Sequence, residues 1–448
     1  MLTPDQARDR AADLIARARA AGADAADAVL VDHRGLSVSV RMGALEEVGR
    51  SESTELGLRV FCGARSASVA TTDLSPAALD ALAARAVAMA RLAPDDPWAG
   101  LAPADRLMTA APPDLDLDDG GEVAPERLRA LASEAEEAAR AVPGVTNSEG
   151  ADAHAGRTVS AIATSHGFAA AYAATSHSLS ASVLAGEGGA MERDHAHHTA
   201  RHAADLEAPA TICARAGERA VARRNPGRMA SGARPVVFDP RVGAGLIGHL
   251  IGAIAGPAIA RGTSFLRDAL GTRVLPMCTR IVEEPLRPRG LRSRPFDGEG
   301  LMTAARAIVD DGVLQTWLLD SASARQLGLA PTGHAARGTN GAPGVGTANL
   351  HLAPGAIDPA ALIADIAEGV YVTELIGQGV NLVTGDYSRG AAGFRIAHGA
   401  IAEPVSEFTI AGNLTAMLAA LTPADDLELR YGINVPTLRI DAMTIASG

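Results

Sequence analysis

A chain of 448 residues with 47% apolar side chains is long enough for two or three domains, each with its own core. A formal charge of −12 and an aromatic content of 3% argue against nucleic-acid binding, which needs a basic footprint and stacking platforms. Three scattered cysteines, Cys62, Cys213 and Cys278, form no C-x-x-C pair; this disfavours a disulfide framework or a Cys-rich zinc site and points to a reducing, cytoplasmic setting.

The N-terminus reads as a helix start rather than a signal peptide: Thr3 caps, Pro4 opens the first turn, and charged residues follow at once. Ala11, Leu14, Ile15 and Ala18 share one face, and Gly22 stops the helix. Strands are predicted at 28–31, 36–41, 56–61 and 67–70, with Gly35 and Gly43 at hairpin turns. Ser75-Pro76 caps a second helix that runs to about residue 92. Residues 93–124, rich in Pro, Asp and Gly, read as a linker or a wrapped loop. Pro125 opens a helix, a β-meander covers about 145–201, and a further helix covers about 208–223. Beyond Pro226-Gly227 come strands at 235–239, 304–310, 314–319, 369–375, 393–396 and 438–445, with a short helix at 411–421. The class is α+β with mixed, mostly antiparallel sheets. An N-terminal α/β domain (1–105) precedes a central β-meander with helices (106–227) and a C-terminal β-rich domain (228–448) that holds a buried Gly-rich helix.

That helix surrounds His249. The 19 residues from 242 to 260 carry no formal charge but contain five glycines and Pro257; a membrane span needs about 20 mostly apolar residues, so a helix buried in the protein is expected. The segment resembles an active-site helix of zinc proteases with most of the chemistry missing. A zinc helix needs two imidazoles on one face and a Glu beside the first; here Leu250 follows His249, and no second His comes within two turns.

Other constellations leave alternatives. His195, His197, His198 and His202 crowd together, as a metal site would require, but in a strand His195 and His197 face opposite to His198, which favours a solvated strand. Residues 338–346 are glycine-rich but lack a P-loop Lys-Ser/Thr, and read as a flexible loop. Asp386, Tyr387, Ser388 and Arg389 lie in a polar, glycine-rich stretch. They form either a hydrogen-bonded hairpin loop or a set of contacts for a peptide or partner.

Nearly the whole chain resembles the TldD/TldE family, whose second member is also called PmbA. The likeness rests on Gly248-His249-Leu250, Thr263-Ser264-Phe265-Leu266, Pro295-Phe296-Asp297-Gly298-Glu299-Gly300, Thr332-Gly333-His334-Ala335, Thr373-Glu374-Leu375-Ile376-Gly377-Gln378-Gly379 and residues 385–394. The resemblance implies a heterodimeric zinc protease acting on unfolded or small peptides. Its TldD-type chain carries H-E-x-x-x-H and a late Cys, while its TldE-type chain lacks the metal motif and shapes the chamber. Laid on this sequence, that motif puts His249 at the first ligand, Leu250 at the base and Ile254 at the second ligand, with no cysteine after Cys278. The resemblance therefore implies a TldE-type subunit with no catalytic or metal residue of its own, and zinc in a TldD-type partner. The alternative is a stand-alone homodimeric peptide-binding protein or hydrolase without zinc. A DNA-topology role, an older label of the family, fits poorly with the acidity.

Overall fold

The computed structural model describes residues 1–447. Helix α1 (Pro4–Ala20) begins as expected: Thr3 Oγ1 accepts from the Gln6 amide, and the Gln6 side chain returns a bond to the Thr3 amide. Strands β1 (Ala25–Arg41), β2 (Ala44–Cys62) and β3 (Arg65–Thr71) follow, then α2 (Pro76–Leu92) and α3 (Pro125–Arg140). Next come β4 (Val145–Thr164), β5 (Ala169–Ala185), β6 (Glu192–Ala200) and α4 (Pro209–Ala222).

The six strands form one antiparallel sheet in the order β3-β2-β1-β4-β5-β6. Its centre is the pairing of β1 with β4, from Asp27–Thr164 to Val40–Ala151, so the sheet is continuous across the boundary expected near residue 105. The two short strands predicted at 28–31 and 36–41 are parts of β1. Gly43 does turn the β1–β2 hairpin, with φ +78°. Gly35 does not turn: it sits mid-strand between Ser51 and Gly156. Alternation along β1 assigns the faces. Ala28, Leu30, Val38 and Val40 pack toward the four helices, while Val29 joins Ile162, Phe168 and Phe296 on the opposite face.

The C-terminal region begins with β7 (Gly232–Phe238), α5 (Pro240–Ala253) and α6 (Gly256–Ala260). Small elements follow: β8 (Ile281–Glu283), β9 (Arg306–Asp310), β10 (Val313–Leu314), α7 (Ser321–Leu327), β11 (Ala335–Ala336), β12 (Gly344–Val345), β13 (Leu350–Leu352) and α8 (Pro359–Ile363). Then come β14 (Glu368–Ile376), β15 (Asp386–Ala397), β16 (Ala400–Asn413), α9 (Leu414–Ala419), β17 (Leu421–Pro423), β18 (Ile433–Asn434) and β19 (Leu438–Ser447). One sheet runs β16-β15-β14-β7-β19-β17, and β16 also pairs with β19, closing the strands into a barrel. A second sheet runs β10-β9-β8-β13-β18. The strand predicted at 314–319 is mostly irregular, since Leu318 and Leu319 serve as core plugs beside α7. The helix predicted at 411–421 shortens to α9 because residues up to Asn413 remain paired in β16.

The apolar segment at 242–260 breaks into α5 and α6, and no helix among the described residues is long and apolar enough to cross a membrane. Leu246, Ile247, Leu250, Ala253 and Ile254 bury in the same core as the barrel interior.

The two regions meet through a buried polar joint. Arg59 donates from Nε to Asp27 at 2.9 Å, and Arg337 pairs with the other Asp27 oxygen at 2.5 Å. All three side chains are at most 6% exposed. Phe296 inserts edge-on against Phe168 and Tyr172, at 5.3 and 5.5 Å between ring centres. Asp297 accepts from the amides of Glu299, Leu301 and Ala335. The stretch 93–124 is a wrapped loop: Arg325 grips it by donating to the carbonyls of Trp98, Gly100 and Leu101.

At this joint β2 touches the loop at Thr339, so a Cβ on Gly57 would overlap the Thr339 carbonyl. Gly57→Ala should therefore destabilise the chain by about 1–3 kcal/mol in a denaturant melt. Gly121→Ala, where a Cβ meets only the Asp119 carboxylate at 3.8 Å, should leave it unchanged; equal effects would contradict the packing described.

Burial lifts the Glu299 carboxyl from 4.5 to about 7, against hydrogen bonds from Ser321 and with help from the charge of Asp297. A carboxyl raised in the folded state stabilises it most below pH 4.5 and loses that contribution as pH climbs to about 7. Glu299→Gln should thus gain stability relative to the parent between pH 5 and 8, on the order of a few kcal/mol. Melts at both pH values check this, and an unchanged difference would refute it.

Candidate functional site

Asp239 caps α5 by accepting from the Arg241 amide, and Pro240 takes the first helical position. The helix presents its large apolar side chains to the core. Its other face carries Gly245, Gly248, His249 and Gly252, and a Cβ at Gly245 or Gly248 would meet nothing.

Residues 385–394 are not a loop. From Asp386 they form the first nine of the twelve residues of β15, paired with β14 and β16. The strand splits the four candidate contacts by alternation. Tyr387, 2% exposed, and the part-buried Arg389 turn toward α5, whereas Asp386 and Ser388 are exposed on the other face. Asp386 there accepts from Thr384 Oγ1 at 2.6 Å and from Asn413 Nδ2 at 3.4 Å. The turn ahead of β15 folds back on the strand: Ser388 donates its amide to the Gly379 carbonyl, and Asn381 donates to that of Asp386. Its Leu382 reaches over α5 at Gly252.

The structure thus joins His249 with Tyr387 and Arg389. The His249 ring stands edge-on to Tyr387 at 6.0 Å between ring centres. Burial, then the nearby Arg389 cation, lowers the imidazole pKa. Burial pushes the Tyr387 phenol up to about 12, with Arg389 opposing. Arg389 donates to the Leu375 carbonyl at 3.3 Å. His249 Nε2, the Tyr387 hydroxyl and Arg389 Nε are all buried without a hydrogen-bond partner. Three unsatisfied polar atoms in one place are uncommon in a settled core.

This donor set does not fit zinc. Leu250 and Ile254 are fully buried among apolar neighbours. The remaining groups beside His249 are a phenol held protonated and a guanidinium, which would repel a cation. Among the described residues no group of three or more His, Cys, Asp or Glu is placed to hold a metal ion.

The other sequence candidates lie elsewhere. His195 and His197 project from one face of β6, stacked at 6.0 Å, and His198 accepts from the Glu207 amide on the other. His202 sits beside Asp116. His334 is a buried structural group: Nε2 meets Glu283 at 2.7 Å and Nδ1 meets Thr332 Oγ1 at 2.7 Å. Burial alone would raise the Glu283 carboxyl, but the bond and charge of His334 outweigh it and lower its pKa. The loop at 338–346 packs on the N-terminal sheet, where Thr339 donates to Glu55. Cys62, Cys213 and Cys278 are all unpaired.

The Tyr387 hydroxyl makes no well-formed hydrogen bond, only a weak approach to Arg389, and removing a buried, poorly bonded hydroxyl relieves a desolvation cost of about 1–3 kcal/mol. Tyr387→Phe should therefore leave the thermal midpoint unchanged or raised. A clear drop would mean that the hydroxyl carries a structural bond.

Comparison with known proteins places the chain among relatives along its whole length. Family models described as PmbA/TldA metallopeptidase domain 1, central domain and C-terminal domain match residues 26–90, 118–224 and 231–447. Metalloprotease PmbA of Escherichia coli is 41% identical, over 94% of this chain and 92% of its own. A PmbA homologue of Haemophilus influenzae is 38% identical, over 92% and 90%. Among solved structures, a candidate modulator of DNA gyrase from Bacteroides thetaiotaomicron superposes with a TM-score of 0.91 at 26% identity, covering both chains fully. TldE from Thermococcus kodakarensis, at 18% identity, shares the fold with a TM-score of 0.85, covering 98% of this chain and 100% of its own.

Proposed function

Since the chain belongs to the PmbA/TldD metallopeptidase family, we propose that it is the non-catalytic, TldE-type subunit of a heterodimeric zinc protease in the cytoplasm. In this reading a TldD-type partner brings the zinc, and this chain shapes the chamber that receives unfolded or small peptides. One observation carries the reading: the helix position at which a zinc protease needs its metal and base holds His249 beside the Arg389 cation, with Leu250 and Ile254 facing the core.

What surrounds that position supports a partner or substrate rather than a metal. The glycine face of α5 leaves room for another backbone to approach. Ile376 and Val383, 58% and 55% exposed, flank β15 at either end of the turn that precedes it, and apolar side chains at such a rim favour contact with a second chain. Arg389 and the Tyr387 hydroxyl offer unused donors for a peptide carbonyl or carboxylate, and the planar fork of Arg suits the latter.

Two measurements test the proposal. The purified chain, after dialysis, should contain far less than one zinc per molecule; a tightly held equivalent that disappears in His249→Ala would overturn it. Reconstituted with an H-E-x-x-x-H chain, it should support peptide cleavage that neither chain gives alone. Arg389→Ala should cut that cleavage severalfold while the partner keeps its zinc. If cleavage per folded complex is intact and only the melting of this chain changes, Arg389 is a structural residue. Robust cleavage by this chain alone would instead favour the stand-alone hydrolase.

A further inference from the structure

Outside the α5–β15 site, an arginine with no carboxylate within ion-pair distance, Arg219, lines a cleft between β6, α4 and the segment leading to β18. We propose that this cleft binds a small organic oxyanion, a carboxylate or a phosphate, on the guanidinium of Arg219. The cleft encloses about 310 Å³, lined among others by His195, His197, Arg219, Arg241, Arg430 and Tyr431. That is the lower end of small-molecule pockets, roughly 300–1,000 Å³, and more than a bare ion needs.

The charges of this cleft are matched except at one position. Arg241 is held by Asp194 and Asp239, each at 3.1 Å. Arg430 pairs with Glu207 at 2.5 Å and with Glu428 at 3.5 Å, and Arg215 takes the other Glu207 oxygen at 2.9 Å. Of the acids lining the cleft, Asp239 is further engaged by the Tyr371 hydroxyl, and Asp426 accepts from the Thr437 amide and hydroxyl. Arg219 has no carboxylate within ion-pair distance among the described residues: its one hydrogen bond is a long one to the His195 carbonyl at 3.4 Å, and Asp239 and Asp194 act on it only through their charge at longer range. Burial, then the neighbouring Arg241 cation, lowers its pKa. A partly buried guanidinium left without an acid is costly, and an incoming oxyanion would relieve that cost while using its planar fork.

The same cleft adds ring donors. His195 and His197 stack with their planes 12° apart, and His197 lies against Tyr431 at 5.4 Å. Each imidazole can donate one N–H while neutral, which is how an oxyanion would be held without a second net positive charge. The inference rests on this cleft alone and does not depend on the peptidase reading.

Calorimetry on the full chain tests it with three probes: inorganic phosphate, an N-acetyl tripeptide with a free C-terminal carboxylate, and the same tripeptide as its C-terminal amide. Saturable binding of phosphate or of the free-acid peptide, but not of the amide, is expected, and which of the two binds identifies the source. Arg219→Gln should weaken that binding at least tenfold while the chain melts normally, because the one bond Arg219 makes, to the His195 carbonyl, is long. His197→Gln, on the exposed wall, should weaken it less and guards against a folding artefact. Absence of saturable binding for both oxyanions at millimolar concentrations, or equal affinity in Arg219→Gln, would overturn the proposal.

Discussion

The fold depends on one buried ionic joint. Asp27 lies on the central strand of the N-terminal sheet and is shared by Arg59 from the next strand and Arg337 from the C-terminal region. Buried ion pairs gain little net stability over apolar packing, but breaking one leaves an uncompensated charge that costs several times more. The joint therefore acts as a register pin: the C-terminal region must dock where Arg337 finds Asp27, and the Phe296 wedge and the Gly57–Thr339 contact then fall into place. The Pro295–Gly300 motif, which is prominent in the sequence, serves this joint and not the chemistry of a site. Its Asp297 organises three backbone amides beneath Phe296.

The α5–β15 site follows the opposite logic. Its polar atoms are left over rather than satisfied, within a core that elsewhere is closely packed. His249 is kept neutral by burial and by a cation, and Tyr387 is kept protonated. The Tyr387 phenol, up at about 12, stays protonated near neutrality and can serve only as a donor there. What remains is hydrogen-bonding capacity on a surface with little side-chain bulk, an arrangement suited to receiving another backbone.

Local signals made much of the architecture legible. Thr3 with Pro4, Ser75 with Pro76 and Pro125 each marked a helix start, because caps and first-turn prolines act within a few residues. The buried helix around His249 was legible too, since an uncharged run interrupted by glycines and Pro257 is a local fact. Gly35 was misread because a glycine in a strand looks like a turn until its neighbours are known; Ser51 flanks it once β2 pairs and Gly156 once β4 does. The stretch at 385–394 looked like a loop for the same reason, its glycines being places where strands come close: a Cβ on Gly393 would strike the Tyr371 carbonyl. Barrel closure, the Asp27 joint and the isolation of Arg219 join residues far apart in sequence, and no short-range pattern encodes them. Arg219 reads as one more charge on an amphipathic helix until its neighbours prove to be occupied.

The long pairing of β1 with β4 has a consequence for biosynthesis. The hairpin of β1 with β2 is complete early in translation, but the other edge of β1 must wait for two helices and a wrapped loop to be made before β4 arrives. During that interval the nascent chain exposes a seventeen-residue strand edge with a partly apolar face, the kind of surface that recruits wrong partners. The hairpin carries charge along its length, at Glu46, Glu47 and Arg50 on β2 and at the His33-Arg34 step within β1, and charged side chains are what blunts an open strand edge.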